Sequence, residues 1–187
     1  MLEWINEIDS NLFLYLNQLG SRKWDWFWII MTEKWTSIPV FLVLLLLIYK
    51  NYNLKKVGVF CLSIFFVILI SDQLANLSKH FFERPRPCNE DFMKYGRFLA
   101  KRCGSFGFYS AHASTTFALA TFFILQVKKK LPKIHYWLIP WAIIVTYSRI
   151  YIGVHYPGDI IVGCTIGISI GTLIASLSNK IKFLKVE

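Results

Sequence analysis

The sequence predicts an all-α membrane protein, a polytopic bundle of about five transmembrane helices with an amphipathic interfacial helix at its N-terminus. Its 187 residues are 55% hydrophobic, with a mean hydropathy of +0.45, which is high for a soluble chain. Several apolar runs approach the ~20 residues that a helix needs to cross a bilayer. Lysines follow these runs in groups, as they do in the cytoplasmic loops of membrane proteins.

Residues 1–20 form the first predicted element, an amphipathic helix. Two placements are open: the helix lies on the membrane surface, or it packs against the end of the bundle. Glu3, Glu7 and Asp9 argue against a cleavable signal peptide, which begins with basic residues and continues with an apolar stretch. Apolar residues recur here at helical spacing: Leu2, Ile5, Ile8, Leu12, Leu16 and Leu19.

The later apolar stretches are the predicted spans. The stretch 36–49 is short for a bilayer, so we expect it to gain length from residues 26–35 despite Glu33 and Lys34. No composition change indicates a second domain, so residues 1–187 are treated as one integral-membrane domain. The other four spans are expected at 57–78, 112–127, 134–150 and 159–178.

The positions of the lysines predict which side of the membrane each loop occupies. With five spans, all three lysine groups lie on one face, which the positive-inside rule makes cytoplasmic, as it does the C-terminus. The loop 80–111 and the turn 150–158 then face outward. Because the lysines are grouped in this way, the net charge of +10 does not indicate that the protein binds nucleic acid. The groups are Lys50, Lys55 and Lys56; Lys128 to Lys130 with Lys133; and Lys180, Lys182 and Lys185.

Cys88 and Cys103 bracket the predicted outer loop, where disulfides persist. A bridge between them would add ~3 kcal/mol of stability in the chain-entropy model. The alternative is two free thiols. Cys61 and Cys164 fall inside predicted spans, where small packing residues are common.

The first cluster of reactive residues joins Lys79 with Arg86 and Pro87. Asp72 and Asn76 share a helical face with Lys79. Polar groups at such depth in a span normally face the protein interior. For Asp72 we expect a structural role, a hydrogen bond that holds helices together, rather than a role in orienting the surroundings of Lys79.

The second cluster, Ser110-Ala111-His112, stands at the start of the span 112–127. A helix N-terminus presents unpaired backbone N–H groups and the positive end of the helix dipole, which suits an anion. Ser110 can cap this helix or donate its hydroxyl to a phosphate oxygen.

The third cluster contains Ser148-Arg149, His155 and Asp159. His155 and Asp159 lie four residues apart across a Pro157-Gly158 turn, so their side chains can form a hydrogen bond. A carboxylate on one ring nitrogen fixes the tautomer and makes the other nitrogen a better nucleophile. Beyond Asp159, glycines at four-residue steps predict a helix face for close packing: Gly163, Gly167 and Gly171.

Together these groups fit the hydrolysis of phosphate esters. Cations neutralise the phosphate oxygens, one histidine attacks phosphorus, and the other protonates the departing oxygen. Two histidines and an aspartate also match a catalytic zinc site. Three converging cations would repel a dication, however, so no metal and no other cofactor is expected.

The three clusters resemble the motifs of the type-2 phosphatidic acid phosphatase family, the lipid phosphate phosphatases related to vanadium haloperoxidases. The resemblance covers residues 79–159 in the correct order. The second motif usually reads Pro-Ser-Gly-His, so Tyr109 and Ala111 depart from it, although alanine is small enough to keep the backbone near a phosphate. The matching segments are Lys79-x6-Arg86-Pro87, Tyr109-Ser110-Ala111-His112 and Ser148-Arg149-x5-His155-x3-Asp159.

The resemblance implies a metal-independent lipid phosphatase. His155 would form a phosphohistidine, with Asp159 orienting it. His112 would be the acid for the leaving group and then the base for water. The expected phosphate-binding residues are Lys79, Arg86, Ser110, Ala111 and Arg149.

The substrate is expected to be a membrane lipid phosphate or diphosphate, with undecaprenyl diphosphate first by analogy with the family. Phosphatidylglycerol phosphate, phosphatidic acid and lipid A phosphates are the alternatives. Two interpretations are open for Arg97, Lys101 and Arg102 in the outer loop: they supply additional charge that would favour a diphosphate, or they are solvated loop charges. From a different class, the chain could be a catalytically silent membrane-binding or scaffold protein. The bilayer is the other expected partner, and the sequence predicts no oligomeric state.

Overall fold

The computed structural model describes residues 2–181, apart from the side chains of Leu2 and Lys34, so the predicted cytoplasmic Lys182 and Lys185 lie outside the described residues. No strand forms within this part of the chain; there is one isolated bridge, between Pro85 and Phe106. The α-helices are α1 (Leu2–Gln18), α2 (Asp25–Thr32), α3 (Ser37–Asn51), α4 (Leu54–Phe82), α5 (Ala111–Val127), α6 (His135–Tyr151) and α7 (Pro157–Lys180).

Over the described residues, two helices are by themselves long and apolar enough to cross a membrane: α4 with 29 residues and α7 with 24. The segments Arg22–Thr32 and Ser37–Asn51 could form a third span as a pair, bent by 51° where they join. The 17 residues of α5 and of α6 extend ~25 Å each, short of a ~30 Å bilayer core. The total of five spans therefore stays a prediction.

The apolar core lies between α3, α4, α5, α6 and α7. Helix α5 contributes most to this core, because most residues on its face toward the other helices are buried. Phenylalanine rings from α4 and α5 meet there at centroid distances of 5.7 to 6.4 Å. Representative members of this core are Ile48, Phe60, Val67, Leu119, Phe122, Phe123, Leu138 and Ile174.

The glycines of α7 lie directly against α5, as their spacing predicts. A Cβ built on Gly167 would lie 2.3 Å from the carbonyl oxygen of Ser114, and one on Gly171 would lie 2.4 Å from that of Ala118. These distances are shorter than any van der Waals contact, so larger residues would push the helices apart. The contact therefore fixes how α5 and α7 sit beside each other.

Helix α1 packs against the bundle end through a face that the sequence analysis did not identify. Asp9, Phe13 and Asn17, four residues apart, are buried. The Phe13 ring contacts Tyr156 at 5.7 Å between centroids, and the Asn17 side chain donates to the Ile150 carbonyl at 2.9 Å. Apolar residues on the rest of α1 remain exposed, as an interfacial helix requires: Trp4, Ile5, Ile8, Leu12 and Leu19.

The lysine-rich turns meet at one end of the bundle. The ring of Tyr52 lies between Lys56 and Lys130, whose nitrogens are 4.2 and 4.4 Å from its centroid. These turns follow α3 and α5, whereas the three reactive clusters lie at the opposite end of the bundle. The separation of lysines from reactive residues that the sequence predicts is thus present.

Gly167→Ala should destabilise the protein, because the new methyl group would overlap the Ser114 carbonyl and overpacking of this kind costs about 1–3 kcal/mol. Gly58→Ala in α4 is the matched control, since a Cβ there meets nothing within 4 Å. Thermal unfolding of the two purified variants in detergent measures the difference. Equal midpoints would contradict the close contact of α5 with α7.

Candidate active site

A cavity of about 700 Å³ opens between α3, α4, α5 and α6 at the end away from the lysine-rich turns. Its wall combines apolar residues with residues from all three sequence clusters. Those cluster residues are Lys79, Arg86, Ala111, His112, Arg149 and His155.

His155 and Asp159 form the hydrogen-bonded pair that their spacing predicts. The Nδ1 atom of His155 lies 3.2 Å from Oδ2 of Asp159, and the same oxygen accepts from the backbone N–H of Tyr156 at 3.1 Å. Both side chains are almost completely buried. With Nδ1 donating to the carboxylate, Nε2 is left with a lone pair on a ring that lines the cavity.

Burial lowers the pKa of His155 to about 4, although Asp159 acts in the opposite direction. The positive charges of Arg149 and Arg86 lower the pKa further. The imidazole is therefore neutral at neutral pH, the protonation state that a nucleophile needs.

Ser110 is the N-cap of α5 and lies next to the start of α7. Its side-chain oxygen accepts from the backbone N–H of Ala113 at 3.4 Å, and its own N–H donates to the carbonyl of Asp159 at 3.2 Å. Ser110 is fully buried and does not line the cavity. Ala111 and His112, in the first turn of α5, do line it.

Arg86 and Arg149 bring permanent charge to the cavity. Arg86 donates from Nε to the carbonyl of Phe106 at 3.0 Å, and Arg149 donates from Nη1 to the hydroxyl of Thr32. The Nε of Arg149 is buried without a hydrogen-bond partner, and neither arginine forms an ion pair with a carboxylate in the described part of the chain. Two such guanidinium groups in one cavity attract an anion.

Gly107 brings the outer loop close to the histidine–aspartate pair. A Cβ on Gly107 would lie 3.1 Å from the Arg86 side chain and 3.3 Å from Oδ2 of Asp159. Its N–H donates to the carbonyl of Arg84 at 2.8 Å, which ties this segment to the first cluster. Any larger residue at position 107 would displace one of these groups.

Arg84 and Asp9 are two residues of the site that the sequence analysis missed. Arg84 donates to Oδ1 of Asp159 at 2.9 Å and to Oδ2 of Asp9 at 2.7 Å, and its guanidinium lies 4.0 Å over the ring of Tyr156. Asp9 also accepts from the N–H of Gly158 at 2.7 Å. This chain of contacts holds the carboxylate of Asp159 from the side opposite His155. The signal was present as the repeated Arg-Pro of residues 84–87 and the polar face of α1.

Cys88 and Cys103 form a disulfide with their Cα atoms 6.1 Å apart. The prediction that Arg97 supplies spare charge is wrong, because Arg97 donates to both carboxylate oxygens of Asp25 at 2.7 Å and lines neither cavity at the site. Lys101 lies 3.2 Å from Glu33. A long-range acidic partner has thus taken up the charge of Arg97. Lys101 and Arg102 line a second cavity beside the site, so their contribution stays a prediction.

A second cavity of about 580 Å³ adjoins the first and reaches the outer loop at residues 99–102. Thr32, Glu33, His112 and Arg149 line both cavities. His112 and Arg149 therefore lie at the boundary between a cavity that runs among the helices and one that runs toward the loop. Across residues 2–181, no group of three or more His, Cys, Asp or Glu side chains is arranged to hold a metal ion.

Comparison with protein families shows a match of residues 57–183 to the PAP2 superfamily. A lipid A 4'-phosphatase of Bacteroides thetaiotaomicron is 32% identical, over 97% of this chain and 81% of its own length. A lipid A 4'-phosphatase of Porphyromonas gingivalis is 34% identical, over 91% and 72%. An undecaprenyl-diphosphatase of Sulfolobus acidocaldarius is 31% identical, over 95% and 75%.

Two solved structures share the fold. The crystal structure of Aquifex aeolicus LpxE has a TM-score of 0.68 and 27% identity, covering 89% of this chain and 93% of its own. A transmembrane PAP2-type phosphatidylglycerolphosphate phosphatase from Bacillus subtilis has a TM-score of 0.75 and 20% identity, covering 97% and 89%. The second likeness supports the fold alone.

The His155 imidazole should remain neutral well below the usual histidine range. Because its pKa is lowered to about 4, the neutral form persists as the pH falls from 6.5 and is lost only near pH 4. Nitrogen-15 NMR of the histidine side chains in micelles measures this, and His155→Gln identifies the signal by its disappearance. A His155 signal that titrates at about 6.5 would contradict the buried geometry.

Arg84→Gln should lower kcat for a lipid phosphate by about 10- to 100-fold, because charge-assisted bonds to buried carboxylates contribute about 1.5–3 kcal/mol each. KM should change less, since Arg84 does not line the cavity. Arg97→Gln is the matched control: it also breaks a partly buried arginine–aspartate pair near the loop but touches neither His155 nor Asp159. Similar losses in both variants would show that loop stability, rather than the contact with Asp159, matters.

Proposed function

Because this chain belongs to the PAP2 superfamily and is an integral membrane phosphatase, we propose that it removes a phosphate group from lipid A. The observation that carries this proposal is the alignment of two lipid A 4'-phosphatases with 97% and 91% of the chain. Undecaprenyl diphosphate, placed first by the sequence analysis, becomes the second candidate through the Sulfolobus acidocaldarius relative. A catalytically silent scaffold does not fit a family of phosphatases.

The proposed reaction begins with His155. Its Nε2 attacks phosphorus, the P–N bond forms, and the bond between phosphorus and the lipid oxygen breaks. His112 donates a proton to that oxygen. His112 then takes a proton from water, whose oxygen attacks phosphorus and releases phosphate from His155. Asp159 holds Nδ1 throughout and balances the positive charge of the phosphorylated ring.

The negative charge that develops on the phosphoryl oxygens is met by groups already in place. Arg86 and Arg149 carry no carboxylate partner in the described chain, and Lys79 lines the same cavity. The N-terminus of α5 adds its dipole and the backbone at Ala111. Preorganised charge of this kind stabilises the transition state without rearrangement of the protein. Ser110 contributes as the cap that keeps this turn in position.

The two cavities give the two products separate routes. The lipid would lie in the cavity of about 700 Å³ among the helices, where the far walls are apolar. Phosphate would leave through the cavity of about 580 Å³ toward the outer loop. His112 borders both, so it can protonate the lipid oxygen on one side and activate water on the other.

We place the site on the extracytoplasmic face and the C-terminus in the cytoplasm. The support is the lysine-rich end of the bundle, opposite the cavity, which the positive-inside rule assigns to the cytoplasm. In this arrangement α5 and α6 complete the five spans, with residues at their ends reaching the bilayer surfaces. A disulfide at Cys88–Cys103 suits an oxidising compartment.

Purified protein in detergent should release phosphate from lipid A with a higher kcat/KM than from undecaprenyl diphosphate, phosphatidic acid or phosphatidylglycerol phosphate. Mass spectrometry of the product locates the position that loses its phosphate. His155→Ala should abolish turnover, because it removes the nucleophile, and EDTA should have no effect. A preference for undecaprenyl diphosphate would favour the second candidate, and activity in His155→Ala would contradict the phosphohistidine mechanism.

A further inference from the structure

The polarity of the residues that line the cavity of about 700 Å³ changes along its length, most clearly on α4. Its residues in the wall fall on one helical face: Phe65, Ile68, Leu69, Asp72, Asn76 and Lys79. Lys79 lies at the end with the histidines. Asp72 is seven residues further into the span, ~10 Å along the helix, and Phe65 is ~21 Å from Lys79.

Helix α5 follows the same order, because His112 is followed by Thr115 and Thr116 and then by Leu119. On α6, Arg149 is followed directly by the largely apolar Val145 and Trp141. From the histidines inward, the walls formed by α4 and α5 are thus charged, then rich in hydrogen-bonding groups, then apolar.

The hydrogen bond described for Asp72 does not join α4 to another helix. The hydrogen bond described for its carboxylate comes from Asn76 Nδ2, at 3.1 Å, on the same helix. The expected role of holding helices together is therefore wrong. A carboxylate within an apolar span is energetically unfavourable and is usually found where it serves a ligand or pathway. Its remaining lone pairs can accept further hydrogen bonds in the cavity.

We infer that Asp72 and Asn76 form a subsite that binds the hydroxyl- or amide-bearing backbone of the lipid below its phosphate. This inference rests on the proposed function and identifies the part of the substrate that the enzyme distinguishes. A glucosamine lipid carries O–H and amide N–H donors next to the phosphate and acyl chains beyond them. A polyprenyl phosphate has hydrocarbon directly after the phosphate and would leave Asp72 without a partner.

The subsite predicts selective losses. Asp72→Ala and Asn76→Ala should each reduce kcat/KM for lipid A by about 10- to 100-fold, since a site that hydrogen-bonds a substrate group loses that contact in the variant. For undecaprenyl phosphate, the change should stay within about threefold. Asp72→Asn keeps the shape and one acceptor, so its loss should be intermediate. Gln73→Ala is the matched control, because Gln73 is a polar residue of the same turn that does not line the cavity.

Equal losses on both lipids in Asp72→Ala and Asp72→Asn would overturn the subsite and indicate a structural role. No loss on lipid A would overturn it as well. The subsite would also be overturned if the wild-type protein preferred polyprenyl phosphates to every lipid with hydroxyl or amide donors.

A second substrate pair separates the failure of this inference from the failure of the proposed function. Ceramide 1-phosphate presents a hydroxyl and an amide N–H, whereas phosphatidic acid of similar chain length presents ester carbonyls. If lipid A is not hydrolysed, the subsite still requires that Asp72→Ala abolish a preference for ceramide 1-phosphate. If lipid A is hydrolysed and the substitutions affect all lipids alike, the proposed function stands and the subsite is excluded.

Discussion

The contact between α5 and α7 is the constraint that brings the two histidines of the proposed mechanism to one cavity. Because Gly167 and its neighbouring glycines let α7 touch the backbone of α5, both helices begin at the same level of the bundle. The N–H of Ser110 then reaches the carbonyl of Asp159 at 3.2 Å. His112 in the first turn of α5 and His155 just before α7 consequently face the same cavity. The positive ends of two helix dipoles converge there, which prepares the site for an anion.

The two carboxylates linked to His155, those of Asp159 and Asp9, stand behind the reactive groups, whereas Glu33 and Asp72 line the cavity. Asp159 contacts His155 with one oxygen and Arg84 with the other, at 3.2 and 2.9 Å. Arg84 is in turn held by Asp9. An acid that faced the phosphate directly would repel it, whereas an acid behind the imidazole fixes its tautomer and compensates the charge of a phosphorylated ring. In the proposed mechanism, this separation of charges into two layers lets one small cavity both attract an anion and support a nucleophile.

Features that depend on neighbouring residues could be predicted from the sequence, and features that depend on distant contacts could not. The hydrogen bond of His155 with Asp159 follows from a spacing of four residues, and the close packing at Gly167 follows from a repeat of the same length. Arg84 meets Asp159 across 75 positions and Asp9 across another 75. The repeated Arg-Pro and the polar face of α1 mark these residues, but no local pattern indicates which residues they contact. The 51° bend before α3 escaped prediction for a related reason, since composition alone does not distinguish a straight span from a broken one.

The ion pairs formed by the basic residues of the outer loop indicate more about the substrate than the number of those residues does. Arg97 is neutralised by Asp25 at 2.7 Å, so it has no charge to spare for a second phosphate. In the proposed mechanism, Arg86 and Arg149, without ion pairs in the described chain, bind the oxygens of one phosphoryl group together with Lys79. Lys101 and Arg102 line the adjoining cavity instead. The hydrogen-bonding residues that precede the apolar ones in the wall are the part of the cavity that favours the proposed glycolipid over a diphosphate joined directly to hydrocarbon.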